Sequence, residues 1–490
     1  MTDVGRKTVR AAAWGFVAAS AKRVVTLIGL TLLARLLSPR EFGLVGFAFV
    51  YLTFVEVAGN FGTGNALIYW PDRRDDAAQT TFIINAVAGL AWCLMTIAVA
   101  PLIADFFNEP HGTAILRVLA VTTLIKFLGN THDALAQKDL RFRARSIPEL
   151  AFPLIKAAVA LALAWLGFGV WSLVWGQIAG MTAWTIAVWA VVPWRPTWRI
   201  PHGLFGPILL YGRNIVAIQT LAAVMFDIDV VFVGRFLGIT TLGLYQMAAR
   251  IPDSSVMVLV SMASRALFPA FSKVHAEGGD VRKAFLIAIR CMSSLTFPAS
   301  MGLFFLARPI IVVFFGAKWI EAAPILSVLS LYVMFRATDY EIGNVLKATG
   351  KTNVVVRLTA LKAVLLAPSV VICAMYSAQA VAGALAVVSL IGTIVATALA
   401  APIIDIPFRT IAAAFARSAA STATMSLALL AWNFLTSALP PVVQLVGGIA
   451  LGAIVYVVAL RVLDPQIFDW VRHVFLSKKG GASEELMREA

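Results

Sequence analysis

Charge and cysteine are both scarce in this chain. Charged residues make up 13% of 490 positions, and there are three cysteines. Cys93, Cys291 and Cys373 stand far apart inside apolar runs with no paired spacing, so neither a disulfide framework nor a zinc site is encoded. No G-x-x-x-x-G-K stretch is present, which excludes direct nucleotide drive through a loop of that kind. Long polar loops are missing as well. The loops between apolar runs are too short to house a soluble catalytic domain, and His111, in one of them, reads as a solvated loop residue.

What the chain does have is apolar sequence. It is 60% hydrophobic, with a mean hydropathy of +0.87. A soluble protein of this length has too little interior to hide such a surface, so the chain is a polytopic membrane protein. The net charge of +15 points to anionic lipid or an anionic substrate, with no nucleic acid as partner. Basic residues precede the first apolar run as in a signal peptide. That run is too long and lacks a cleavage site, so it is expected to stay as a helix. The fold class expected is all-α, with about fourteen spans near 11–36, 42–68, 81–105, 113–136, 148–167, 170–193, 207–235, 241–270, 284–306, 322–347, 354–376, 380–403, 411–436 and 441–463.

The first two spans, Ala11 to Asn60, read as a hairpin turning at Ser38, Pro39 and Arg40. Each arm is roughly 25 residues, or about 37 Å, enough to cross a hydrocarbon layer of about 30 Å. The first arm carries Lys22 and Arg23 near its middle. A lipid-facing charge there costs about 2.5 to 3.5 kcal/mol, so two adjacent cations call for water or a counter-ion. Glu56 lies as far after Pro39 as Lys22 lies before it, at matching depth in an antiparallel pair. Gly15, Ala19, Lys22, Thr26 and Gly29 on one arm, and Thr53, Glu56, Asn60 and Thr63 on the other, form small and polar stripes that read as walls of a polar cavity. A structural salt bridge that only fixes helix packing is the alternative.

With the N-terminus inside, twenty-three basic residues fall in cytoplasmic segments, against five in the opposite loops, Arg35, Arg40, Arg235, Arg308 and Lys318. Both termini are therefore expected in the cytoplasm. Twelve further bases lie within spans: Lys22, Arg23, Arg117, Lys126, Lys156, Arg213, Arg250, Arg265, Arg290, Arg336, Lys362 and Arg417. An internal repeat is visible as well. LARLLSPREFGL at 33–44 matches VGRFLGITTLGL at 233–244 with an offset of 200, and sliding by a few residues further on places Lys126 on Arg336. Six spans separate the copies, so the halves share one orientation. The expected organisation is a first lobe over 1–204, a second over 205–404, two appended spans over 405–464, and a cytoplasmic amphipathic segment and tail over 465–490.

Intramembrane charges recur in mixed clusters: Lys22, Arg23 and Glu56; then Asp227, Asp229, Arg250 and Asp253; then Arg336, Asp339 and Glu341, with Lys126 as a first-lobe counterpart. Arg336 and Asp339 stand at i, i+3 and can neutralise each other. For each cluster a structural bridge and a substrate path both remain open. Pro252, Pro269, Pro298, Pro324 and Pro368 gather in the second half, as packing kinks or as hinges.

The segments LLARLLSPREFGLVGFAFV, GNFGTGNALI, QKDLRFRARSIPE, GFGVWSLVWGQ and GRFLGITTLGLYQMAARIPD through ALFPAFSKV resemble the Wzx-type polysaccharide flippases of the multidrug/oligosaccharidyl-lipid/polysaccharide flippase superfamily. The resemblance covers residues 1 to about 400. It implies a V-shaped transporter of two helix bundles, not an enzyme, that moves a polyprenyl-pyrophosphate-linked oligosaccharide across the bacterial inner membrane. It also implies a cationic cavity with bases on spans 1 and 8, which Lys22, Arg23 and Arg250 match by span and depth. With Lys126, Arg336 and Arg290 these form the expected substrate-binding set. Glu56, Asp227, Asp229 and Asp339 are the candidates for charge pairing or for exchanging a coupling H+ or Na+. The physical reading agrees, because a diphosphate crosses hydrocarbon only where fixed cations replace its water. No cofactor is implied; membrane lipids and a polysaccharide polymerase or export machinery are the expected partners. The alternatives are a flippase for lipid-linked peptidoglycan precursor and a multidrug or cation antiporter, whose cavity would favour acids. A membrane polymerase or ligase would want a sizeable outer loop with catalytic groups.

Overall fold

The computed structural model describes residues 21–69, 73–139, 142–197, 199, 201, 203–276 and 280–465. The expected amphipathic segment and tail after 465 lie outside them, as do Gly15 and Ala19 of the first arm. Among the described residues there is no strand. A chain in lipid must satisfy every backbone N–H and C=O internally, and helices do so within one segment.

The chain forms two compact units, Met1–Gly243 and Leu244–Ala490. In the first unit, α1 (21–36) is followed by α2 (Pro39–Gly59), α3 (Thr63–Tyr69), α4 (Arg74–Phe106), α5 (Gly112–Lys138), α6 (Phe142–Trp165) and α7 (Val170–Val191). Next comes α8 (Phe205–Ala276), broken at Gly238, whose φ of 83° no ordinary side chain favours. The second unit holds the end of α8, then α9 (Val281–Phe305), α10 (Ala307–Phe314), α11 (Ala322–Ala348), α12 (Thr352–Ala374), α13 (Ala378–Ile404), α14 (Phe408–Leu435) and α15 (Pro441–Leu463).

Each run read from the sequence falls on a helix wherever it is described, and nine stretches among the described residues are long and apolar enough to cross a membrane. The differences have local causes. The second run divides after α2, where Phe61 and Gly62 take φ of 45° and 62°. The third run's helix, α4, starts at Arg74, where Asp75 and Asp76 complement the positive end of its dipole. The short α10 was not foreseen. Prolines do not single out one unit, since Pro101, Pro148 and Pro153 lie inside α4 and α6 of the first and Pro298 and Pro368 inside α9 and α12 of the second.

The hairpin turn is specified by chemistry. Ser38 caps α2, its N–H donates to Glu41 Oε2 at 2.7 Å, and Pro39 occupies the first helical position. Just beyond, the first unit has a close backbone crossing. A Cβ on Gly43 would lie 1.9 Å from the Ile239 carbonyl oxygen, and one on Gly243 would lie 2.0 Å from that of Pro39. Positions 39 and 239, like 43 and 243, are repeat equivalents, so the contact is reciprocal, each copy of the motif presenting its glycine to the other's backbone. Elsewhere in the unit, Gly176 and Gly180 of α7 let α6 approach until a Cβ would meet the Lys156 and Phe152 carbonyls at 2.9 Å. Such small-xxx-small spacing is how helices pack closely in lipid.

Candidate functional site

Pairing sorts the intramembrane cations. In the first unit Lys126 of α5 bonds Glu56 of α2. Lys156 of α6 donates to Gln177 Oε1 of α7 at 2.6 Å and lies over the Phe49 ring, 4.9 Å from its centre. Lys22 is exposed and Arg23 half-buried, and neither forms an ion pair among the described residues. The expected Lys22, Arg23 and Glu56 cluster is thus corrected: Glu56 belongs to Lys126. Counting along the hairpin matched depths, but Glu56 shares its helix face with Gly59, which packs on Phe127 of α5. The face, not the depth, selects the partner.

In the second unit Arg336 of α11 pairs with Asp253 of α8 at 3.1 Å, and Asp339 pairs with Lys362 of α12 at 2.5 Å. The expected i, i+3 pair of Arg336 and Asp339 gives way to two cross-helix pairs. Each ties α11 to a different neighbour and leaves no charge of the four alone. Asp253 was grouped with Arg250 and is instead taken by Arg336. Arg250 is exposed and has no ion-pair partner among the described residues. Asp227 is half-buried and Asp229 buried, both on the arm of α8 in the first unit, while Arg250 and Asp253 belong to the second.

Arg290 of α9 leads to a residue that the sequence reading placed only at the start of the amphipathic segment. Asp464, closing α15, is wholly buried, and its Oδ1 accepts from Arg290 at 3.4 Å and from Arg417 of α14 at 3.2 Å. Ser293 and Ser418 bond at 3.1 Å beside them, and Tyr456 of α15 donates to the Ser294 carbonyl at 2.6 Å. The last two helices are thereby locked to α9. The available signal was that Arg290 and Arg417 sit in runs without an acid of their own, with Asp464 the next acid after the last span.

Of the twelve intramembrane bases, six are engaged within their own unit: Lys126, Lys156, Arg290, Arg336, Lys362 and Arg417. Lys22, Arg23 and Arg250 keep their charge uncompensated among the described residues, as do the exposed Arg117 and Arg213. Arg265 has a side chain outside the described set. Two clefts among the described residues of the first unit offer no polar alternative. One is bordered by Phe61, Trp92 and Phe205 and another by Phe54, Phe106 and Phe232, both almost wholly apolar. No cluster of His, Cys, Asp and Glu among the described residues is fit to hold a metal.

Known proteins agree with this architecture. The chain is 23% identical to the teichuronic acid biosynthesis protein TuaB of Bacillus subtilis over 355 residues, 72% of this chain and 74% of that one. It is 24% identical to the lipopolysaccharide biosynthesis protein WzxC of Escherichia coli over 375 residues, 75% of each. Its fold is similar to that of the lipid II flippase MurJ in an inward closed conformation, with a TM-score of 0.77 over 93% of this chain and 99% of that one at 15% identity. Residues 32–324 match the polysaccharide biosynthesis protein family, and with more than half of its length inside that match the chain belongs to the family.

Proposed function

We propose that this protein is a flippase that carries a polyprenyl-pyrophosphate-linked oligosaccharide from the inner to the outer leaflet of the bacterial cytoplasmic membrane by alternating access. One observation carries the reading. Among the described residues Lys22, Arg23 and Arg250 form no ion pair, like the exposed Arg117 and Arg213, and the first three are the ones that match the cationic positions on spans 1 and 8 implied by the resemblance. A diphosphate supplies what they lack. Arginine meets phosphate oxygens in bidentate fashion, and lysine adds a point charge. Lys126, Arg336 and Arg290 are each held by an acid within their own unit, and in this reading they would reach the substrate only by exchanging that partner. Relatives named for teichuronic acid and lipopolysaccharide biosynthesis support a lipid-linked saccharide as cargo.

The repeat supports lobes over 1–204 and 205–404, with 405–464 as an appendage, and the basic loops support cytoplasmic termini. A peptidoglycan-precursor flippase shares the diphosphate chemistry and is separated by the sugar. A multidrug antiporter needs acids free for cationic drugs; Glu56, Asp253, Asp339 and Asp464 are committed to bases, which leaves Asp227 and Glu341 as acids in no ion pair among the described residues, against the five uncompensated bases.

The test is flipping of labelled polyprenyl-diphosphate oligosaccharides in proteoliposomes, with a peptidoglycan precursor and a cationic dye as competitors. Lys22→Gln with Arg23→Gln should insert and fold normally yet flip about tenfold or more slowly, since charge-assisted hydrogen bonds of about 1.5–3 kcal/mol each are lost. Undiminished flipping by that variant refutes the role of these cations.

A further inference from the structure

One buried carboxylate takes no part in the pairing above. Glu341, on α11, is 1% exposed. Its Oε1 accepts a hydrogen bond from Ser264 Oγ of α8, and its Oε2 meets no donor. Asn344 lies three residues on, on the same face, and its Nδ2 is also buried without a partner. Two orphan polar atoms one helical turn apart call for a common explanation, because buried polar groups are satisfied almost without exception.

Among the described residues no protein cation supplies one. The described ionisable groups on the helices packed against α11 are committed or turned outward. On α9, Arg290 holds Asp464, Arg282 pairs with Asp405 and Lys283 is exposed. On α12, Lys362 holds Asp339 and Arg357 is exposed. On α8, Asp253 holds Arg336, Arg250 is exposed, and Arg265 follows Ser264 in sequence. On α11 itself Lys347 is exposed, and α13 carries no ionisable residue. One helical turn before Ser264 and Glu341, Val260 and Ala337 join Met292 in an apolar cluster.

Asn344 Nδ2 donating to Glu341 Oε2 would pair the two atoms but leave an ionised carboxylate buried with no counter-ion among the described residues, whereas a proton satisfies both and removes the charge. The two ends of an asparagine amide are interchangeable in assignment, so a half-turn places Asn344 Oδ1 where Nδ2 stands. A proton on Glu341 Oε2 then donates to that oxygen, Ser264 donates to Oε1, and no charge remains buried. We propose that Glu341, Ser264 and Asn344 form a proton-binding site in the second unit, which holds Glu341 as a neutral acid and releases its proton when the site is wetted during the transport cycle. Release leaves the carboxylate and passes the proton to the admitted water. The coupling half of this proposal rests on the flippase reading; the proton site does not.

Infrared difference spectroscopy of the full chain in lipid nanodiscs tests the site without substrate. At neutral pH the native protein should show a carboxylic-acid C=O band that shifts in D2O, disappears in Glu341→Gln, persists in Glu341→Asp, and moves in Asn344→Leu and Ser264→Ala. Absence of a Glu341-dependent acid band overturns the site, whether the carboxylate proves sodium-dependent or paired with Arg265. In proteoliposomes an imposed pH gradient should change native flipping severalfold and leave Glu341→Gln unresponsive. An acid band together with flipping that ignores the gradient in both proteins overturns the coupling and keeps the site. Absence of any flipping by native protein counts against the flippase reading, and the infrared result still decides the site.

Discussion

At the scale of single residues, the described structure pairs charges by helix face. Glu56 and Lys126 illustrate the cost of separating them. Glu56→Ala strands an ammonium group among helices and should lower stability by about 3–5 kcal/mol, whereas Glu56→Gln with Lys126→Met should recover most of it. Thermal unfolding of the purified variants in detergent reads both, and equal losses would show the pair to be dispensable to packing. Asp464 is the stronger case, because one carboxylate serves two arginines. Asp464→Ala should destabilise more than Arg417→Ala, whose side chain is 45% exposed and leaves Arg290 still paired. These residues also show what was legible in the sequence. Spans were, since apolar length is a one-dimensional property, and depth within a span followed from counting. The partner of Glu56 was not, because it depends on which face of α2 meets α5, and the small residue that fixes that face, Gly59, looks like any other glycine. Asp464 and Ser264 escaped notice for a related reason: each becomes important only through residues that are more than forty positions away in sequence.

At the scale of helices, close approach is set by missing side chains. The GQIAG segment of α7 is a packing motif that the charge-led reading passed over, yet it brings α6 within backbone contact. Gly176→Leu should force these helices apart and destabilise by about 1–3 kcal/mol. The repeat, by contrast, was visible in sequence as a matched pair of glycines, and their reciprocal contact gives that match a physical reason. Gly43→Ala and Gly243→Ala each press a methyl group into a carbonyl oxygen, so both should reduce the yield of folded protein, measured by fluorescence-detected size exclusion. Alanine tolerated at both positions would show that the crossing relaxes freely.

At the scale of the whole chain, sidedness decides how the transport path is used. With Cys93, Cys291 and Cys373 replaced by serine, a single cysteine at Arg199 should react with a membrane-impermeant maleimide only from the cytoplasm and one at Thr240 only from outside, both positions being exposed. Reversed labelling would invert the assignment of every loop. The clamp on Asp464 has a further consequence, in time rather than space. Arg290 is made 174 residues before its acid, so at ~5–20 residues per second some 10 to 35 s pass between them on the ribosome. Throughout that interval Arg290, joined for the last 47 residues by Arg417, sits in an apolar segment with no counter-charge from Asp464, and a product interrupted before its final helix never acquires one. Completion of synthesis is thus written into the electrostatics of the fold, and a truncated chain carries its own mark for removal by the proteases that survey the membrane.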